Sequence, residues 1–106
     1  MEAVFLDKRV EKEFRALPAD MRVHFARTLD LMEIRGGHNI GLPHVRKVRH
    51  PLWEIRVKGK DGIARALYVS QQEDQLLVLH IFVKKSQKTP DQAIDLALKR
   101  LKEVTQ

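Results

Sequence analysis

Pro51-Leu52-Trp53-Glu54-Ile55-Arg56-Val57-Lys58-Gly59-Lys60-Asp61-Gly62-Ile63-Ala64-Arg65-Ala66-Leu67-Tyr68-Val69-Ser70 is the stretch that decides the fold. β-branched and aromatic residues fill both halves, and Gly59-Lys60-Asp61-Gly62 interrupts them as a turn. The reading is a pair of antiparallel strands, roughly Leu52 to Lys58 and Ile63 to Ser70. A third strand is expected from Leu76 to Lys85. Strict alternation there puts Leu77, Leu79, Ile81 and Val83 on one buried face, with Leu76, Val78, His80, Phe82 and Lys84 on the other.

Downstream, Thr89 is expected to cap a final helix. Pro90 suits its first position, Gln92 completes a capping box, and Ile94, Ala97, Leu98, Leu101 and Val104 form an apolar stripe. Upstream, Ala3 to Leu6 is expected to form a short edge strand, and Asp7 to cap a helix burying Val10, Phe14 and Leu17. Pro18 opens a second helix along which Met21, Phe25, Leu29 and Met32 recur, and Gly36-Gly37 stops it. The order β-α-α-β-β-β-α, with an antiparallel sheet and segregated helices, gives the class α+β in a single domain over residues 1–106.

Composition narrows the function. Hydrophobic residues make up 43% and charged residues 32%, a globular balance, and no apolar run nears the ~20 residues a bilayer crossing requires. The start lacks the charge order of a secretory signal. Cysteine is absent, so disulfides and thiolate chemistry are excluded and a cytoplasmic location is expected. The net charge of +6 points to a polyanionic partner. From Arg46 to Arg65 there are seven basic side chains (Arg46, Lys47, Arg49, Arg56, Lys58, Lys60 and Arg65) against two acidic ones, Glu54 and Asp61, so the excess is concentrated in the sheet segment.

Two readings stand for each prominent residue. Arg56 alternates with Glu54 and Lys58, the pattern of a solvated strand face, whereas Arg65 shares parity with apolar Ile63, Leu67 and Val69, an unusual place for a cation. His80 has the pKa range of an acid-base group and also the setting of a hydrogen-bonded core histidine. Tyr68 is either a stacking ring or a core filler. Lys84, Lys85 and Lys88 precede the last helix, where free N–H groups favour phosphate. His38, His44 and His50 lie in loop-like sequence without metal-site spacing, so neither a metal nor another cofactor is expected. There is no phosphate-cradling glycine loop, no nucleophile elbow and no helix-turn-helix pattern.

Three strings converge on one family: Pro51-Leu52-Trp53-Glu54-Ile55-Arg56, then Gly62-Ile63-Ala64-Arg65-Ala66-Leu67-Tyr68, then Val78-Leu79-His80-Ile81-Phe82-Val83-Lys84-Lys85-Ser86-Gln87-Lys88-Thr89-Pro90. Together they resemble the HigB-like, phage-associated branch of the RelE superfamily of toxins. The resemblance implies two N-terminal helices packed on a twisted antiparallel sheet, and metal-independent cleavage of mRNA, commonly on the ribosome. It also implies a cognate helix-turn-helix antitoxin, through which alone operator DNA would be bound. By family position Arg56, Arg65 and Lys84 fall where relatives place cations at the scissile phosphate, with His80 and Tyr68 as further catalytic candidates. Arg46, Lys47, Arg49, Lys58, Lys85 and Lys88 would hold the RNA backbone. One departure from the best-known RelE enzymes is that no tyrosine follows Pro90, which keeps open a non-cleaving module that binds antitoxin or RNA.

Overall fold

The computed structural model describes residues 2–35, 45–71 and 75–105, so the expected Gly36-Gly37 helix stop, His38 and His44 lie outside the described residues. The elements in chain order are β1 (Glu2–Phe5), α1 (Lys8–Arg15), α2 (Ala19–Arg35), β2 (Val45–Lys47), β3 (Trp53–Gly59), β4 (Gly62–Gln71), β5 (Gln75–Lys84) and α3 (Asp91–Thr105). The expected α+β class holds, with two corrections. β2 is an additional short strand, and β1 runs parallel to β5, so the five-stranded sheet β1-β5-β4-β3-β2 is antiparallel except at that edge.

Helices cover both faces of this sheet. Asp7 caps α1 as its sequence position predicts, its carboxylate accepting from the Arg9 N–H at 2.9 Å. Val10 and Leu17, with Met21, Phe25 and Met32 of α2, pack on Ile55, Val57, Ala64, Ala66, Tyr68 and Ile81. On the other face Ala93, Ile94 and Ala97 of α3 pack on Leu52, Leu67, Val69, Leu77 and Leu79. Each fully buried large apolar side chain contributes roughly 1.5–3 kcal/mol.

The hairpin between β3 and β4 sits tightly against the start of α2. A Cβ at Gly59 would lie 2.5 Å from Met21 Cγ, and Gly62 has φ +137°, a conformation that L side chains rarely adopt. Asp20 clamps the turn, accepting the Lys60 N–H at 2.9 Å.

The alternation expected for β5 fails at one place. Leu67 faces His80 and Tyr68 faces Val78, so Leu79 is an extra residue, a bulge. An added residue reverses facing beyond it. Ile81 therefore joins Leu76 and Val78 under α1 and α2, whereas Leu77 and Leu79 share the α3 side with His80. β1 pairs only as far as Val78, and the exposed edge beyond it is capped by side chains. Glu13 of α1 accepts the Ile81 N–H at 3.0 Å, and Arg100 of α3 donates to the Leu79 carbonyl at 2.8 Å and to Glu13 at 3.0 and 3.1 Å.

The expected cap of α3 is also corrected. The Pro90 carbonyl accepts the Ile94 N–H at 3.2 Å and starts the helix, while Thr89 is buried and gives its hydroxyl hydrogen to Glu54. A buried carboxylate out-competes the helix end for that hydroxyl, because an unpaired charge in the interior costs far more than an open cap.

Candidate functional site

Facing residues on antiparallel strands point to the same side, so register reads out the α3 face in rows. Lys58, Ile63 and Lys84 form one row; Arg56, Arg65 and Phe82 the next; Arg46, Glu54, Leu67 and His80 a third. The apolar face of α3 begins only at Ala93, and the segment Lys85–Pro90 crosses the sheet before it.

Glu54 organises the centre. It is fully buried and accepts from Arg56 Nε at 2.6 Å, from Arg46 Nε at 3.1 Å and from the Thr89 hydroxyl. A desolvated carboxylate survives only with such partners, and here it anchors two guanidinium groups at the protein interior's edge.

Arg65 is the most unusual residue of the fold. It is 0% exposed and donates a single hydrogen bond, from Nη1 to the Lys88 carbonyl at 2.7 Å, leaving Nε and Nη2 buried without partners. Burial lowers its pKa below the ordinary guanidinium value, the charges of Arg56 and Arg46 act in the same direction, and Glu54 opposes them. Arg56 faces it directly and donates to Gln87, through Nη2 to the backbone carbonyl and through Nη1 to the side-chain oxygen at 3.4 Å. Both guanidinium groups thus point at carbonyl oxygens of one exposed strap, residues 85–88.

A hollow flanks the strap on each side. One, of about 360 Å3, is lined by Lys58, Lys60, Lys85 and Gln87 around the β3–β4 turn. The other, of about 240 Å3, lies between β5 and α3 and is lined by His80, Phe82, Lys84 and the first turns of the helix. The His80 and Phe82 rings are stacked with centroids 4.9 Å apart. His80 Nδ1 lies 3.2 Å from Glu13 Oε1, within ion-pair range but without hydrogen-bond alignment. Burial works against ionisation of Glu13, yet His80, Arg100 and the Ile81 N–H outweigh it and hold that carboxyl down at about 2.

Of the residues singled out in the sequence, Arg46, Arg56, Lys58, Arg65, His80 and Lys84 share the α3 face, and Lys85 and Lys88 lie on the strap above it. Tyr68 does not join them. It is 0% exposed on the opposite face beneath α1 and α2, where burial raises its hydroxyl pKa, so it is a core residue out of reach of any RNA on the arginine face. Lys47 also points to that side, 5.5 Å from the Trp53 ring centroid, and Arg49 is paired with Asp95 and Asp91 of α3 at 3.2 and 3.6 Å.

Sequence reasoning gave no site role to Glu13 or Arg100, read Thr89 only as a helix cap and Glu54 only as part of the charge pattern. The available signal for Glu54 was an acid between apolar Trp53 and Ile55 in a basic strand; for Glu13, its place three residues after buried Val10, on the inner side of α1. Among the described residues no three His, Asp or Glu side chains gather to hold a metal, and no helix is long and apolar enough to cross a membrane.

Residues 12–102 match the protein family described as phage derived protein Gp49-like. No curated protein matches the chain.

Proposed function

The chain belongs to the phage-derived Gp49-like family, a RelE toxin-like family, and from that premise we propose that it is the toxin of a type II toxin-antitoxin pair. In this reading it is a HigB-like endoribonuclease that works in the cytoplasm, cuts mRNA on the ribosome without a metal ion, and is held inactive by a helix-turn-helix antitoxin. The observation that carries the reading is the facing pair Arg56–Arg65, with two donor nitrogens of Arg65 unpartnered and Lys84 one row away.

The chemistry follows from charge. The 2′-hydroxyl loses its proton and its oxygen attacks phosphorus; the bond to the 5′-oxygen breaks as that oxygen takes up a proton, leaving a 2′,3′-cyclic phosphate. Negative charge on the phosphorane is greatest midway, and planar guanidinium donors fixed in a desolvated site stabilise it most there. In this reading the phosphate oxygens take over from the Gln87 and Lys88 carbonyls as acceptors of the two guanidinium groups. His80 and Lys84, lining one hollow, are the groups assigned to proton transfer. Arg46, Lys58, Lys85 and Lys88 border the same face and hold the RNA backbone.

A non-cleaving module that binds antitoxin or RNA is the second reading, favoured by the complete burial of Arg65 beneath the strap. Expression of the chain without antitoxin separates the two. Growth arrest with new 5′ ends inside coding regions is expected, and Arg65→Ala is expected to abolish both while the protein still folds and binds antitoxin. Normal growth with intact messages would overturn the nuclease assignment.

A further inference from the structure

The hollow between β5 and α3 has the make-up of a pocket for a flat, polar-edged ring. Phe82 and the ring of His80 already form a two-ring stack in its wall, tilted by only 23°, and neither is fully buried. Ala93 and Leu96 supply apolar surface from the helix opposite, and Lys84 stands at the rim. About 240 Å3 is below the ~300–1,000 Å3 typical of pockets for drug-sized molecules, which suits a single ring system.

Its position matters as much as its lining. Phe82 faces Arg65 across the sheet, so the two side chains rise from neighbouring strands whose backbones lie about 4.8 Å apart. Side chains placed side by side on adjacent strands can meet neighbouring parts of one nucleotide, phosphate on one side and base on the other. Lys84 can only donate hydrogen bonds, whereas the carboxamide of Gln92, exposed on the first turn of α3, donates and accepts together, as a group must to discriminate base edges.

We propose that this hollow is a subsite for one nucleobase of single-stranded RNA, stacked on the Phe82–His80 pair and read at its edge by Gln92. The proposal rests on the nuclease reading for its substrate class, and it adds what fixes the base preference at the cut.

The test uses the full chain and uniformly 2′-O-methylated hexanucleotides of A, C, G or U, which cannot be cleaved, with binding followed by fluorescence anisotropy. Loss of the ring in Phe82→Leu, which keeps apolar bulk, is expected to weaken binding roughly 5- to 100-fold without changing its salt slope, the signature of lost stacking rather than lost phosphate contact. Phe82→Trp is expected to retain affinity. Gln92→Ala, at an exposed position, is expected to narrow the differences among the four oligonucleotides. Unaltered RNA binding by Phe82→Leu overturns the subsite, as does a variant that loses antitoxin affinity alone. Cleavage that persists with the same cut-site preference in Phe82→Leu and Gln92→Ala sinks the subsite and leaves the nuclease reading standing. Base-dependent binding of this kind by a protein that leaves cellular messages intact when expressed without antitoxin keeps the subsite and sinks the nuclease reading.

Discussion

The two faces of one sheet are built to opposite rules. Beneath α1 and α2 the buried sheet residues among those described are Val45, Ile55, Val57, Ala64, Ala66, Tyr68, Leu76, Val78 and Ile81, with no charged group among them. On the α3 side the same strands bury Glu54 and Arg65 completely, and Arg100 is buried on the helix above. The first face supplies stability through apolar burial; the second holds desolvated charge that the first must offset. Proteins retain such costly groups where their chemistry is needed, and in this fold Glu54 and Arg65 lie in adjacent rows, bonded to Thr89 and to the Lys88 carbonyl of the strap.

The contrast breaks most visibly if the apolar face is hollowed out. Phe25→Ala, at a fully buried position between the helical pair and the sheet, is expected to cost about 3–5 kcal/mol, read as a lowered urea midpoint with growth arrest lost through unfolding rather than chemistry. A loss under 1 kcal/mol would mean that the face relaxes around the gap and does not carry the fold.

Next in size is the acid response of the capped edge. Because the Glu13 carboxyl sits at about 2 in the folded protein against an ordinary 4.5, its contribution is fully present above about 4.5 and is lost as pH falls through about 2. The loss is on the order of 2–3 kcal/mol, measurable as urea midpoints at a series of acid pH values. Glu13→Gln is expected to flatten that part of the profile, and an unchanged slope would refute the assignment.

The charged face gives a change of the opposite sign. Arg65→Met replaces a buried and largely unpartnered guanidinium with apolar volume, and is expected to stabilise the fold by about 1–3 kcal/mol while removing growth arrest. A destabilised variant would show that Arg65 holds the structure together. The smallest effect is Thr89→Ala, about 1–2 kcal/mol from the lost buried hydrogen bond to Glu54, with helix content by circular dichroism unchanged and Thr89→Ser close to wild type. Loss of helix content instead would return Thr89 to a capping role.

What local sequence controls was legible without coordinates. Residue periodicity placed α1, α2, β3, β4, β5 and α3 within a few positions, because hydrophobic spacing and turn chemistry are properties of neighbours in the chain. The oddness of Arg65, a cation at apolar parity, was visible for the same reason, as was the resemblance in three strings that named Arg56 and Lys84. Everything that depends on partners distant in the chain needed the fold. Thr89 bonds Glu54 across 35 positions and so gives its hydroxyl hydrogen to the sheet; the extra Leu79 turns His80, Phe82 and Lys84 away from Leu76 and Val78 and onto the α3 face; Tyr68, one register position from Leu67, goes to the opposite core. Burial and pairing are decided by which surfaces meet, and a sequence states what each residue is able to bond without stating what will be there to meet it.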